Sequence, residues 1–137
     1  MRTDPADYDM RVMLVDDNPD TLATMKLVLQ LRGFEAETYL HARDALEAQR
    51  RRPVDVLITD IFMPDADGLE VIQQFRSRWR RTRIVAISGT ATKVKGDYLE
   101  TARQVGADRI LRKPFDPREL LRLPLGLAAA APFATSS

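Results

Sequence analysis

Five polar residues stand at the ends of short apolar runs in this chain: Asp16, Asp17, Asp60, Ser88 and Lys113. Three of them are acids, one carries a hydroxyl group and one carries an amine. Two carboxylates ~4 Å apart repel by about 4 kcal/mol at an effective dielectric constant near 20. If the three acids converge, a divalent cation or the lysine must compensate this repulsion.

The chemistry expected of such a cluster is phosphoryl transfer assisted by a metal ion. The chain has no cysteine and a single histidine, which excludes thiolate sites and multi-histidine zinc sites. Oxygen ligands in small number favour Mg²⁺ over Ca²⁺. Asp60 stands alone at its run and fits a carboxylate nucleophile. Lys113 would neutralise phosphoryl oxygens, and the Ser88 hydroxyl would donate a hydrogen bond to one of them.

The elements that must position these residues alternate between strands and helices. Five strands are predicted, at 11–15, 34–39, 54–59, 83–88 and 110–111. Five helices are predicted, at 19–32, at 41–51, from residue 67 onward, at 98–105 and at 117–123. The last of these helices is expected to be short or kinked. This alternation predicts a doubly wound α/β fold with a five-stranded parallel sheet and helices on both faces. Ligands bind beyond the carboxyl ends of such strands, which is where the polar residues stand.

The motifs resemble the receiver domains of two-component response regulators, over about residues 11 to 123. The resemblance rests on five motifs in order: Asp16-Asp17, Asp60-Ile61-Phe62-Met63-Pro64 with Asp67-Gly68, Ser88-Gly89, Gly106-Ala107 and Lys113-Pro114-Phe115. It implies a flavodoxin-like strand order of 2-1-3-4-5. It also implies a single-domain regulator similar to those of chemotaxis.

The resemblance further implies a division of roles around the metal. Asp17 and Asp60, with the backbone carbonyl of Phe62, would hold Mg²⁺ directly, and Asp16 would act largely through water. Asp60 would take the phosphoryl group, so the chain would be no enzyme beyond its own phosphorylation and slow dephosphorylation.

Partners and conformational change are also implied by the resemblance. The phosphoryl donor would be a phosphohistidine on a sensor histidine kinase or a histidine phosphotransfer protein. Ser88 would move toward the phosphoryl group, and the Lys113–Pro114 peptide would be cis. The signal would leave through contact with another protein, whose identity the sequence does not give, and formation of a homodimer stays open.

Three features depart from the family pattern. Ile110 stands where receivers commonly carry Tyr or Phe, which excludes an aromatic rotamer switch at this position. The stretch from Ser88 to Gly106 is longer than in compact members, and we expect the extra residues in the loop before the fourth helix. Phe62 places a bulky apolar side chain near the mouth of the site, where variation affects phosphoryl lifetime.

Composition limits the partners and the location. The 21 basic residues nearly balance the 20 acidic ones, so no global field favours nucleic acid or membrane. Without an apolar leader or a long apolar run, a cytoplasmic protein is expected. We expect a flexible N-terminus at 1–10, the receiver domain at 11–123 and an irregular tail at 124–137. The arginines at 50–52 and 76–83 are interpreted as a solvated surface.

Three alternative functions are weighed against this interpretation. An aspartyl-phosphate phosphatase of the haloacid dehalogenase type needs a second acid where Phe62 stands. A nucleotide-binding protein needs a glycine-rich phosphate loop after the first strand, and Asp16-Asp17 stands there instead. A scaffold or interaction module that functions without phosphorylation is favoured by Ile110 and the irregular last helix, but the complete set of acids and lysine argues against it.

Overall fold

The fold is a parallel sheet covered by helices. The computed structural model describes residues 10–63, 66–88 and 97–122. The main sheet contains β1 (Arg11–Val15), β2 (Glu35–Tyr39), β3 (Val56–Asp60), β6 (Arg83–Ser88) and β7 (Arg109–Arg112). Two-residue strands, β4 (Phe62–Met63) and β5 (Ala66–Asp67), form a separate antiparallel pair. The helices are α1 (Pro19–Leu31), α2 (Ala42–Arg51), α3 (Gly68–Arg78), α4 (Asp97–Val105) and a 3₁₀ helix (Pro117–Arg122).

All neighbouring strands of the main sheet are parallel, in the order β2-β1-β3-β6-β7. Counted within this sheet alone, the order is 2-1-3-4-5, which confirms the expected topology. The order changes direction at β1, which lies between β2 and β3. The carboxyl ends of β1 and β3 therefore lie side by side at the point where such sheets bind ligands.

Alternate residues along each strand face opposite sides of the sheet, and each side carries a core. On one side, Met13, Leu57 and Ile84 pack with α2, α3 and α4. On the other side, strand residues such as Leu14 pack with α1 and with Leu120 of the 3₁₀ helix. Two buried cores on either side of one sheet confirm the doubly wound α/β class.

The first helix begins and ends as its sequence predicts. Asn18 is the N-cap, and its side-chain oxygen accepts hydrogen bonds from the N–H groups of Asp20 at 2.9 Å and Thr21 at 3.2 Å. Pro19 occupies the first turn, where its missing N–H costs nothing. Gly33 follows the helix with a φ of 94°, a conformation that glycine adopts readily.

The structure differs from the prediction in local details. The third strand begins two residues later than predicted and includes Asp60, and the loop after it contains the β4–β5 pair. In α3, Val71 is buried in the core, whereas Trp79 is partly buried and packs against it. The 3₁₀ helix at Pro117–Arg122 lies within the helix predicted at 117–123 and is the last element that the structure describes.

Several predictions fall on residues outside the described ranges. These are the flexible N-terminus, the irregular tail and the extra length before the fourth helix. Among the described helices, none is long and apolar enough to cross a membrane.

Arg76 connects three segments on the α3 side of the sheet. Its guanidinium donates to the carbonyl oxygen of Gly106 at 2.9 and 3.1 Å, to that of Thr82 at 3.0 Å and to that of Arg80 at 2.8 Å. It also pairs with Asp108 at 2.6 Å, and the same Asp108 oxygen accepts the N–H of Ile84 at 2.9 Å. One side chain thus ties the end of α3 to the loops that precede β6 and β7.

We expect Arg76→Ala to lower the free energy of unfolding by about 2 to 3 kcal/mol, because several partly buried carbonyl groups and Asp108 lose their partner together. Arg76→Lys should recover less than half of the loss, since an ammonium lacks the planar fork that spans these acceptors. Urea unfolding at neutral pH measures both variants. Equal stability of Arg76→Ala and the native protein would contradict this role.

A second polar group lies on β2. The Tyr39 hydroxyl donates to Glu37 at 2.8 Å, and the other Glu37 oxygen pairs with Arg11. Burial, followed by the hydrogen bond to Glu37 and the charge of Glu37, raises the pKa of Tyr39 to about 12. A tyrosine with a raised pKa contributes stability that is fully present below its ordinary pKa of 10.0 and is lost as the pH rises toward 12.

The native protein should therefore lose about 1 to 2 kcal/mol more unfolding free energy than Tyr39→Phe between about pH 9 and pH 11.5. This difference in unfolding free energy is smaller than the pKa shift alone would give, because water partly screens the Tyr39 side chain. Urea unfolding of both proteins across this range gives the difference. Parallel pH profiles would show that Tyr39 ionises as freely in the folded chain as in the unfolded one.

Candidate functional site

The predicted site residues meet at one edge of the sheet. Asp16 follows β1 directly, Asp60 is the last residue of β3, Ser88 is the last residue of β6 and Lys113 follows β7. Each lies at the carboxyl end of its strand, and the strands are parallel neighbours. The edge that the sequence predicted to collect the chemistry is therefore the edge where the fold brings these residues together.

The three carboxylates form a tight cluster. One oxygen from each of Asp16, Asp17 and Asp60 lies within 4.8 Å of the others. Asp16 is fully buried and Asp60 is 5% exposed, whereas Asp17 lies at the surface. Three acids at this separation repel strongly, and burial of two of them reduces the screening by water. The cluster therefore has a strong affinity for positive charge.

Lys113 supplies part of that charge. Its Nζ lies 2.9 Å from Oδ2 of Asp16 and 3.5 Å from Oδ2 of Asp60. Burial opposes the charged ammonium and is the largest single influence on its pKa. The hydrogen bond to Asp16, together with the charges of Asp60 and Asp16, outweighs burial, so the pKa of Lys113 is raised above its ordinary value. The ammonium is consequently charged at neutral pH and balances one carboxylate of the three.

Backbone hydrogen bonds fix the positions of these side chains. The N–H of Asn18 donates to Oδ1 of Asp16 at 2.9 Å, which holds that carboxylate in place at the start of α1. The N–H of Lys113 donates to the carbonyl oxygen of Ser88 at 2.7 Å, which joins the ends of β6 and β7. The Lys113–Pro114 peptide is cis, as the resemblance implied.

The segment after Asp60 folds closely against the start of α3. The N–H of Gly68 donates to the carbonyl oxygen of Ile61 at 2.9 Å. A Cβ atom on Gly68 would lie 2.5 Å from the Asp60 carbonyl oxygen and 2.5 Å from two backbone atoms of Ile61. Only glycine fits there. The backbone of Phe62 lies on this segment, in the short strand β4.

The structure thus brings together Asp16, Asp17, Asp60 and Lys113, and it places Ser88 at the same edge. Sequence reasoning missed two contributors. In the sequence, Asn18 before Pro19 indicates only the start of a helix, yet its N–H also holds Asp16. In the sequence, Gly68 is only one residue of a motif, and its close contact with the Asp60 backbone is visible only in three dimensions.

Comparison with known proteins agrees with this geometry. The family profile of the response regulator receiver domain matches residues 12–123. An uncharacterised 14.6 kDa protein of Leptolyngbya boryana is 33% identical over 114 residues, which are 83% of this chain and 86% of that protein. The transcriptional regulatory protein PrrA of Mycobacterium tuberculosis is 33% identical over 111 residues, 81% of this chain but only 46% of PrrA.

Solved structures give the same result. The Vibrio cholerae chemotaxis protein CheY4, crystallised at low pH, superposes with a TM-score of 0.74 at 31% identity, over 82% of this chain and 93% of that one. A CheY-like receiver domain protein of Methanospirillum hungatei superposes with a TM-score of 0.76 at 26% identity, over 82% of this chain and 88% of that one. With the strand order, the acidic edge and these matches in agreement, this chain belongs to the response regulator receiver domain family.

Proposed function

We propose that this receiver accepts a phosphoryl group on Asp60, in a reaction that requires Mg²⁺, and passes the signal on through protein contact. The observation that carries the proposal is the nearly buried Asp60 carboxylate, which lies within 4.8 Å of two further carboxylates and 3.5 Å from the Lys113 ammonium. A nucleophile of the carboxylate type, an acidic metal-binding cluster and a fixed cation are the parts that phosphoryl transfer needs.

The donor set fits a hard divalent cation. Asp16, Asp17 and Asp60 offer carboxylate oxygens only, and the described residues bring no histidine or thiol into the cluster. We assign Asp17, Asp60 and the carbonyl oxygen of Phe62 as direct ligands, and Asp16 as a ligand through water. When bound, Mg²⁺ would neutralise charge on the carboxylates and on the phosphoryl oxygens.

The chain's own residues carry the remaining steps. An Asp60 oxygen attacks phosphorus, a P–O bond forms, and the P–N bond to the histidine of the donor breaks. The histidine nitrogen keeps the electron pair of that bond, and the product on this chain is an acyl phosphate. Lys113 turns from Asp60 toward a phosphoryl oxygen, and Ser88 donates a hydrogen bond to another. Apart from this transfer and the slow hydrolysis of the acyl phosphate by water, which releases inorganic phosphate and restores the Asp60 carboxylate, the chain would catalyse no reaction.

The proposed partners follow from this chemistry. The donor would be a sensor histidine kinase or a histidine phosphotransfer protein, met in the cytoplasm, and the recipient of the signal would be a further protein. The chain spans about half the length of several transcriptional regulators that it matches, such as 46% of PrrA. The activities of those longer regulators are therefore no part of the function proposed for this chain. The proposed target of the phosphorylation signal is a protein, and neither a nucleic acid nor a membrane.

A second candidate is a receiver fold that serves as an interaction module without phosphorylation. Ile110 in place of the aromatic residue that turns inward on activation in the family favours it, and so does the 3₁₀ form of the helix at Pro117–Arg122. Intact-protein mass spectrometry after incubation with acetyl phosphate, with Mg²⁺ or with chelator, separates the two. A Mg²⁺-dependent adduct supports phosphorylation, and its absence from a folded protein supports the module.

A further inference from the structure

The end of the molecule opposite the acidic edge is rich in exposed arginine. We call this surface the arginine end and define it by five exposed side chains: Arg50, Arg51, Arg78, Arg80 and Arg81. Within residues 10–63, 66–88 and 97–122, none of the five side chains is paired with an acid. The sequence alone favoured a solvated surface here, but the structure adds three observations that point to a binding surface.

The first observation is that two separate segments are held side by side. Gln49 at the end of α2 donates to the Thr82 hydroxyl at 3.4 Å, and that hydroxyl donates to the carbonyl oxygen of Val54 at 3.0 Å. The N–H of Arg83 donates to the carbonyl oxygen of Asp55 at 2.9 Å. The arginines that precede Thr82 therefore lie next to those that follow Gln49, so their charges add on one surface.

The second observation is that the turn which carries Arg80 and Arg81 is held by hydrogen bonds and packing. Arg76 donates to the carbonyl oxygens of Arg80 at 2.8 Å and Thr82 at 3.0 Å, which fixes the turn that carries the exposed arginines. Trp79 in the same turn packs against Phe75 with ring centroids 5.2 Å apart. A fixed turn loses little backbone entropy when a partner binds.

The third observation is that most of the neighbouring acids already have partners; the exception is the exposed Glu47, four residues before Arg51 on α2, which offsets one of the five positive charges. Asp108 pairs with Arg76, and Glu37 pairs with Arg11. Asp55 accepts the backbone N–H of Arg11 at 2.9 Å. The acidic edge is also too far away to compensate, because β3 alone spans about 13 Å and the Debye length is about 8 Å at physiological ionic strength. The nearly balanced total charge thus conceals a local excess of positive charge.

We propose that the arginine end binds an acidic segment of a partner protein, a stretch rich in Asp and Glu. The planar guanidinium group binds carboxylates through two parallel hydrogen bonds. Arginine and tryptophan are enriched in protein interfaces and lysine is depleted, and the segments 49–55 and 76–83 contain one tryptophan, eight arginines and no lysine. A lipid surface would select for charge without preferring arginine, and the chain lacks the net positive charge that draws a protein to DNA.

The test is fluorescence anisotropy of a short labelled oligoglutamate peptide at low salt, with the full chain. Arg80→Gln/Arg81→Gln should weaken binding about tenfold, since two ion pairs are lost. The control pair Arg43→Gln/Arg112→Gln removes the same charge from exposed positions elsewhere and should weaken binding less than about twofold. Thermal unfolding checks that both variants are folded.

A second pair of variants tests whether the guanidinium group matters as well as the charge. Arg80→Lys/Arg81→Lys should bind about threefold more weakly than the native chain, because the ammonium lacks the planar fork. Asp60→Asn should bind with unchanged affinity, so the result does not depend on phosphorylation at Asp60.

Four outcomes would overturn the proposal. Equal weakening by both glutamine pairs would show that only total charge matters, and native affinity in the lysine pair would remove the role of the guanidinium. Absence of peptide binding would exclude an acidic segment. Binding to a short DNA duplex or to phosphatidylserine vesicles with higher affinity than to the peptide would assign the surface to another class of partner.

Discussion

Asp60→Asn is expected to abolish the phosphoryl adduct that the native chain forms with acetyl phosphate and Mg²⁺. The amide keeps the size of the side chain but is a poor nucleophile, and it removes one of the three negative charges at the metal-binding cluster. Intact-protein mass spectra, recorded with Mg²⁺ and with chelator, should show one adduct on the native protein with Mg²⁺ and none in the other conditions.

A matched control separates loss of the acceptor from loss of charge. Asp44 is exposed in the first turn of α2 and does not belong to the carboxylate cluster, so Asp44→Asn should form the adduct as the native chain does. An adduct on Asp60→Asn would place the acceptor on another residue. If the folded native protein forms no adduct, the proposed phosphorylation is wrong for small donors and the interaction-module function takes its place.

Gly68→Ala should produce the largest loss of stability among the substitutions considered, about 3 to 5 kcal/mol. The added Cβ would lie 2.5 Å from the carbonyl oxygen of Asp60 and from two backbone atoms of Ile61, and backbone atoms cannot move aside as a flexible side chain does. Relief of the overlap must shift the start of α3 or the end of β3. Asp60 is the last residue of β3 and its backbone lies against Gly68, so phosphoryl uptake should fall as well.

Urea unfolding measures this loss, and Gly33→Ala provides the comparison. Gly33 has a φ of 94° at the end of α1, and alanine there should cost about 1 kcal/mol through backbone conformation alone. If Gly68→Ala costs no more than Gly33→Ala, the close contact with the Asp60 backbone is not a constraint on this fold.

Much of the fold could be predicted because its signals are local. Asn18-Pro19 marks the start of α1, and an Asn cap followed by proline acts within one helical turn. Apolar runs such as Val12 to Val15 mark buried strands of a parallel sheet. Boundaries were less exact at the third strand, where the pairing of Asp60 with Ile87 on β6 extends the strand by one residue beyond its apolar run. That pairing depends on a partner far along the chain.

The candidate site was predicted as a set of residues, but its internal arrangement was not. Lys113 and Asp16 are 97 positions apart, and only the packed sheet shows that the lysine lies closer to Asp16, at 2.9 Å, than to Asp60, at 3.5 Å. The order of the strands in the sheet sets these two distances. The residue pattern predicted only that the acids and the lysine share one edge, and the strand order was predicted from the family resemblance. The burial of Asp16 and the exposure of Asp17 likewise depend on how α1 packs beside β1.

By itself, the sequence determined the alternation of strands and helices, the edge at which the acids and the lysine collect, and the chemistry that such side chains support. Periodicity and capping act between residues close in the chain, so these features can be read from the order of residues. Tertiary structure decided which carboxylate Lys113 binds, why Gly68 must lack a side chain, and that Arg50 and Arg81 lie on one surface. Each of these depends on contacts between distant segments, whose geometry is set only when the strands and helices pack together.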